Sequence, residues 1–172
     1  TSDELVHLTG GLTYWQFHDY RMQPENGNLP QRWAALPAWL AGARLPAPEG
    51  PNWQRSISWI FGYEFFYATP GQDHFPLLMA GRAMIALFLT AASLLVFLWA
   101  RSLWGLAGGF VALGFCVFSP NFLAHGALVT SDICMTFFLL ASVGAFWRHL
   151  HDGRKRWWIL SALVFGLACV AK

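Results

Sequence analysis

Charge is what this sequence has least of. Only 12% of its residues are Asp, Glu, Lys or Arg, while 56% are hydrophobic. A water-soluble domain carries roughly a quarter charged residues. With so few, a water-facing surface cannot be covered, and a membrane is the expected solvent. Cysteine is sparse as well. Cys116, Cys134 and Cys169 all lie in apolar runs. An odd number without close spacing argues against a disulfide framework and against a cysteine zinc site, so they read as small apolar fillers. The net charge of +2 is not gathered into a patch apart from one short loop, and nothing in it calls for a nucleic-acid partner.

The charge that exists is unevenly spread. Seven of the nine acids fall within residues 1–73, together with Arg21, Arg32, Arg44 and Arg55. The chain therefore divides into a polar N-terminal loop, residues 1–75, and an apolar domain, residues 76–172. A bilayer-crossing helix needs about 20 apolar residues. Four runs meet or approach that length, and spans are expected at about 77–100, 105–124, 127–147 and 156–172. The third is broken only by Asp132, and the fourth ends at Lys172. The fold class expected is all-α, a polytopic transmembrane helical protein with an outer loop carrying interfacial helices. Gly105, Gly108, Gly109 and Gly114 would let neighbouring helices approach closely.

Lys and Arg in short loops orient such a chain. Arg101 lies between the first two spans, and Arg148, Arg154, Lys155 and Arg156 lie between the last two. The link 119–131 has neither residue type. The basic links are thus expected in the cytoplasm, and residues 1–75 and 119–131 on the extracytoplasmic side of a multi-pass inner (plasma) membrane protein. The chain starts at Thr1-Ser2-Asp3 with no signal peptide, so a further span before Thr1 is expected.

Within the loop, residues 29–45 carry Trp33, Leu36, Trp39, Leu40 and Ala43 near helical spacing. Pro30 suits the first turn, and Pro37 would bend or restart the helix. Tryptophan and arginine suit the water–lipid interface, so the segment reads as a helix on the membrane surface. A helix packed on a soluble partner is the other reading. Residues 57–67 are aromatic and also read as interfacial.

Few polar groups remain for chemistry. Asp3 and Glu4 are adjacent carboxylates in the outer loop, Asp132 stands just inside the third span, and Arg82 stands near the start of the first. A charge at membrane depth is costly without a partner or a wet cavity, which marks Asp132 as a functional candidate. An Arg82–Asp132 structural ion pair is the plainer reading, and a shared site with Asp3 the sharper one. His7 lies four residues after Asp3, a spacing that could hold a metal but lacks the zinc-protease order. His125 precedes Asp132 and reads first as a structural histidine. His149 and His151 belong to the basic cytoplasmic loop.

The order of these residues carries a resemblance. Asp3-Glu4, His7, Gly11 to Trp15, Asp19-Tyr20-Arg21 and Pro24-Glu25 follow one another as in the first outer loop of the dolichyl-phosphate-mannose protein mannosyltransferase and aminoarabinose transferase group. This group belongs to the C-type glycosyltransferase superfamily. The stretch from Ser119 to Asp132 resembles its second outer loop, and Arg82 and Lys172 fall where the group has an arginine and a lysine. The chain departs from the group after Pro24-Glu25, where Asn26-Gly27-Asn28-Leu29-Pro30 replaces the usual His-Pro-Pro-Leu.

The resemblance implies an enzyme that moves a sugar from a polyprenyl-phosphate donor to an acceptor on the outer face, with inversion at the anomeric carbon. The part present would be inactive without the remaining spans. Asp3, Glu4 and Asp132 are the expected catalytic residues, with Asp3 as base. Arg82, His7, Glu25, His125 and Lys172 are the expected substrate-binding residues. Asp132 has three open roles: orienting the acceptor, positioning Arg82, or holding a divalent metal. No residue is assigned as a metal ligand. The partners expected are the sugar donor and membrane lipids. The competing reading is a non-catalytic accessory or structural subunit, which would add other membrane subunits as partners.

Overall fold

The computed structural model describes residues 1–172, and every regular element in it is helical. The fold is all-α. The chain divides into two units, the first of residues 1–85 with 128–131, the second of residues 86–127 with 132–172.

The first unit is built around a helix that the sequence hides. Helix α1 (Ser2–Phe17) buries Val6, Leu8, Leu12 and Tyr14, and with them Glu4, His7, Thr9 and Thr13. A helix buried on most of its surface shows no apolar stripe. Its main neighbour is α2 (Asn28–Leu40). The two backbones meet at Gly11, where a Cβ would stand 2.0 Å from the Gln31 carbonyl oxygen, a distance no side chain allows. The face that α2 buries consists of Pro30, Gln31, Ala34, Ala35 and Ala38. Leu40 is left exposed and Trp39 partly so, so small side chains make the closest contact with α1. The helix continues through Pro37 and ends at Leu40. Trp15 stacks on Trp39 with ring centroids 5.0 Å apart and donates its indole N–H to the Arg32 carbonyl at 2.8 Å. Trp33 donates its own to the Met84 carbonyl, also at 2.8 Å.

Two short helices follow, α3 (Pro51–Gln54) and α4 (Ser58–Tyr63), then a π-turn over Glu64–Ala68. Trp53 and Phe61 form a small core with Met22, against which Phe17 and Leu45 pack. Trp59, Ile60, Tyr63 and Tyr67 face outward. The unit also takes in the first turns of α5 (His74–Val117).

In the second unit α5 runs on to Val117 with one break. At Gly105 φ is +71°, a left-handed value that a residue without Cβ adopts readily. The uncharged run 105–124 then holds two helices, the end of α5 and α6 (Pro120–Gly126). Ser119 caps α6 by accepting from the Phe122 N–H at 3.4 Å, and Pro120 takes its first turn. Helices α7 (Asp132–Asp152) and α8 (Lys155–Cys169) form a hairpin around Gly153, where φ is +64°. They are locked by a reciprocal serine pair. Ser142 donates to the Ser161 carbonyl at 3.0 Å, and Ser161 to the Ser142 carbonyl at 2.9 Å. Small residues that also hydrogen-bond across a helix pair are the usual adhesive where the surroundings are apolar.

Helices α5 and α7 are long and apolar enough to cross a membrane, with mean hydropathies of 2.3 and 1.4 over their most apolar stretches. Only 17% and 22% of those stretches are buried within the protein. A soluble core helix with such composition would be mostly covered. These helices leave Leu87, Leu94, Leu98, Leu139, Val143 and Phe146 exposed, as a lipid-facing surface requires.

Candidate active site

The residues marked by the sequence fall into two clusters, one in each unit. In the first, α1 places Glu4 on its buried side, 1% exposed. Arg82, from the start of α5, approaches it in a fork: Nε donates to Oε1 at 2.8 Å and Nη2 to Oε2 at 2.7 Å. The Val129 backbone N–H adds a third bond to Oε1 at 3.0 Å. Bidentate, charge-assisted bonds of this kind are among the strongest in proteins. Burial alone would push the Glu4 carboxyl up. Arg82 and the Val129 N–H outweigh it and hold the carboxyl down at about 2. Glu4 is therefore a fixed anion that ties α1, α5 and the 128–131 segment together.

Asp3, next in the chain, is exposed. One residue along a helix turns the side chain by about 100°, which takes Asp3 off the buried face. His7 is on that face, 7% exposed. Tyr14 is also buried, and its hydroxyl donates to the Gln23 carbonyl at 2.7 Å. Burial pushes this phenol up to about 12, so it stays a donor at all ordinary pH. Glu25 lies exposed beyond α1.

The second cluster centres on Asp132, the first residue of α7. An acid there meets the positive end of the helix dipole. Lys172 Nζ reaches Asp132 Oδ1 at 2.6 Å, and His125 Nδ1 lies 3.4 Å from Oδ2. All three are partly open to solvent, at 40–52% exposure. Asp132 thus brings Lys172 and His125 together.

The ion pair weighed for Arg82 from sequence was with Asp132. The structure gives Arg82 to Glu4, and Asp132 to Lys172 and His125. Sequence reasoning also left out the Val129 N–H and the structural role of Glu4. The first could not be seen, since any backbone N–H is equivalent in sequence. The second had one signal, an acid at the first turn of a helix, but the helix itself was not recognised. No group of three or more His, Cys, Asp or Glu side chains converges as a metal site would need.

No curated protein and no solved structure was found to match the chain. Residues 72–172 match the family described as dolichyl-phosphate-mannose-protein mannosyltransferase. The match takes in Arg82, His125, Asp132 and Lys172, and begins after Asp3, Glu4, His7 and Glu25. Extending over more than half of the sequence and including the whole Asp132 cluster, it shows that the chain belongs to the dolichyl-phosphate-mannose-protein mannosyltransferase family, a family of membrane glycosyltransferases.

Proposed function

We propose that this protein transfers a sugar from a polyprenyl-phosphate donor to an acceptor hydroxyl on the extracytoplasmic face of a bacterial inner membrane. It spans the membrane several times, and residues 1–75 and 119–131 lie on the side where transfer occurs. The observation that carries the assignment of roles is the contrast between two neighbouring carboxylates. Glu4 is buried and fully engaged by Arg82, whereas Asp3 stands exposed on the same helix end. An acceptor hydroxyl is a poor nucleophile and needs a base within hydrogen-bond reach as attack develops. Asp3 is the carboxylate of the two with room to serve.

The leaving group is a lipid phosphate and needs positive charge or donors more than it needs an acid. Lys172 and His125, gathered by Asp132, supply them. Arg82 contributes less than its charge suggests, because Glu4 neutralises it and occupies Nε and Nη2. Its Nη1 has only a long 4.0 Å contact to Met79 Sδ and is the edge left for a ligand. Asp132 then orients the cations.

The test is transfer by the full-length protein in proteoliposomes, with a labelled polyprenyl-phosphate sugar. Replacing Asp3 by Asn is expected to lower the rate about a hundredfold or more, with membrane insertion and melting temperature unchanged. Activity that survives removes Asp3 as the base. If the wild type transfers from no polyprenyl-phosphate sugar, the accessory-subunit reading replaces the enzyme.

A further inference from the structure

The turn between α7 and α8 collects four cations against one acid, Asp152. Arg148 stands one turn before the end of α7, and Arg154, Lys155 and Arg156 open α8. No carboxylate lies within ion-pair distance of any of the four. Two of the guanidinium groups share one ring. Arg148 and Arg156 each sit 5.0 Å from the centre of Trp157. Like charges drawn to one indole repel each other, and an anion between them would remove that cost. Helix α8 adds to the positive potential, since it starts without a side-chain cap or an acid in its first turn, leaving its backbone N–H groups to other acceptors.

An apolar cavity of about 240 Å³ opens beside these cations. Leu95, Leu98 and Trp99 of α5, Gly144 of α7 and Leu160 of α8 line it, and Arg148 and Trp157 form its polar end. It is smaller than the 300–1,000 Å³ typical of pockets for drug-sized ligands, which suits one chain of methylenes. Two polar atoms at this site have no partner in the protein. The indole N–H groups of Trp99 and Trp157 are buried with no acceptor, a condition that costs about 1–3 kcal/mol for each group. The site thus combines an apolar slot and a cationic rim.

We infer that this cavity binds an anionic glycerophospholipid, with an acyl chain in the slot between α5, α7 and α8 and the phosphate held by Arg148 and Arg156. Charge complementarity selects the occupant: a zwitterionic lipid would bring a cation back among four cations, whereas an anionic one gains about 1 kcal/mol per basic residue near the headgroup. The inference rests on the membrane setting and is independent of the sugar-transfer chemistry.

Native mass spectrometry of the full-length protein in detergent tests it, titrated with phosphatidylglycerol and, separately, with phosphatidylcholine of the same chains. Phosphatidylglycerol should be retained roughly fivefold more tightly or better. The double change Arg148→Gln with Arg156→Gln should abolish that preference without altering the melting temperature. Gly144→Leu, which fills the slot from a position 3.4 Å from the Trp99 ring, should displace the lipid while leaving the cations in place. Equal retention of the two lipids overturns the inference, as does an unchanged preference in the double variant. Displacement by millimolar inorganic phosphate alone would reduce the site to a headgroup contact and remove the acyl slot. Absence of lipid, with a cysteine at position 144 cross-linking to another segment of the protein, would show that protein fills the cavity.

Discussion

Asp3 and Glu4 show how much one position on a helix decides. The two side chains carry the same charge and differ by one methylene, yet one is buried under Arg82 and the other faces out. The difference has a measurable pH signature. The Glu4 carboxyl sits at about 2, below its ordinary 4.5. A depressed acid contributes stability that is complete above its unfolded value and is lost as the pH falls towards its folded value. The Glu4–Arg82 bridge should therefore contribute fully above about pH 4.5 and fade between there and pH 2, by roughly 3 kcal/mol. Melting temperatures measured from pH 7 down to pH 3 would show a decline in the wild type that is shallower in Glu4→Gln. At neutral pH that variant should already be destabilised by about 3 kcal/mol, because it strands the arginine. Parallel pH profiles for the two proteins would mean that Glu4 is not held as described. The assignment of Asp3 as base rests on the same contrast, and its loss should spare stability and remove turnover.

At the scale of elements, the approach of α1 to α2 is set by the absence of a side chain at Gly11. Gly11→Ala would place a Cβ 2.0 Å from the Gln31 carbonyl oxygen, and neither atom is on a flexible chain end. Overpacking of this kind typically costs 1–3 kcal/mol, and here backbone must move, so a loss at or above the top of that range is expected. Gly166→Ala, where nothing lies within 4 Å, is the control and should be neutral or slightly stabilising. Thermal unfolding in detergent separates them, and equal melting temperatures would disprove the close approach. These elements also show which helices a sequence reveals. The runs that became α5 and α7 are legible because hydropathy accumulates along them residue by residue. Helix α1 was not, because Glu4, His7, Thr9 and Thr13 are buried beside its apolar residues and break any stripe. The break at Gly105 was hidden differently: glycine there was read as a packing surface, while its use is a left-handed backbone angle.

For the whole molecule, orientation is the quantity to measure. Single cysteines in a variant lacking Cys116, Cys134 and Cys169 would report it through a membrane-impermeant maleimide on intact spheroplasts. Labelling is expected at positions 25 and 49 of the loop, and not at 153 in the basic turn until the membrane is opened. The reverse pattern would put the Asp3 end on the cytoplasmic side and dissociate the proposed chemistry from an extracytoplasmic acceptor.

By itself the sequence determined the fold class, the lipid-like composition and the family. Each depends on sums or order along the chain: how many apolar residues stand in a row, where Lys and Arg interrupt them, and which residues follow one another. Only the tertiary structure decided the pairings. Arg82 and Glu4 are 78 residues apart, and sequence distance does not restrict which of several acids an arginine meets. The choice was made by packing, which turned Glu4 inward with α1, brought Val129 against it, and left Lys172 and His125 for Asp132. A charge pair forms where two faces are brought together, and which faces meet is a property of the folded chain.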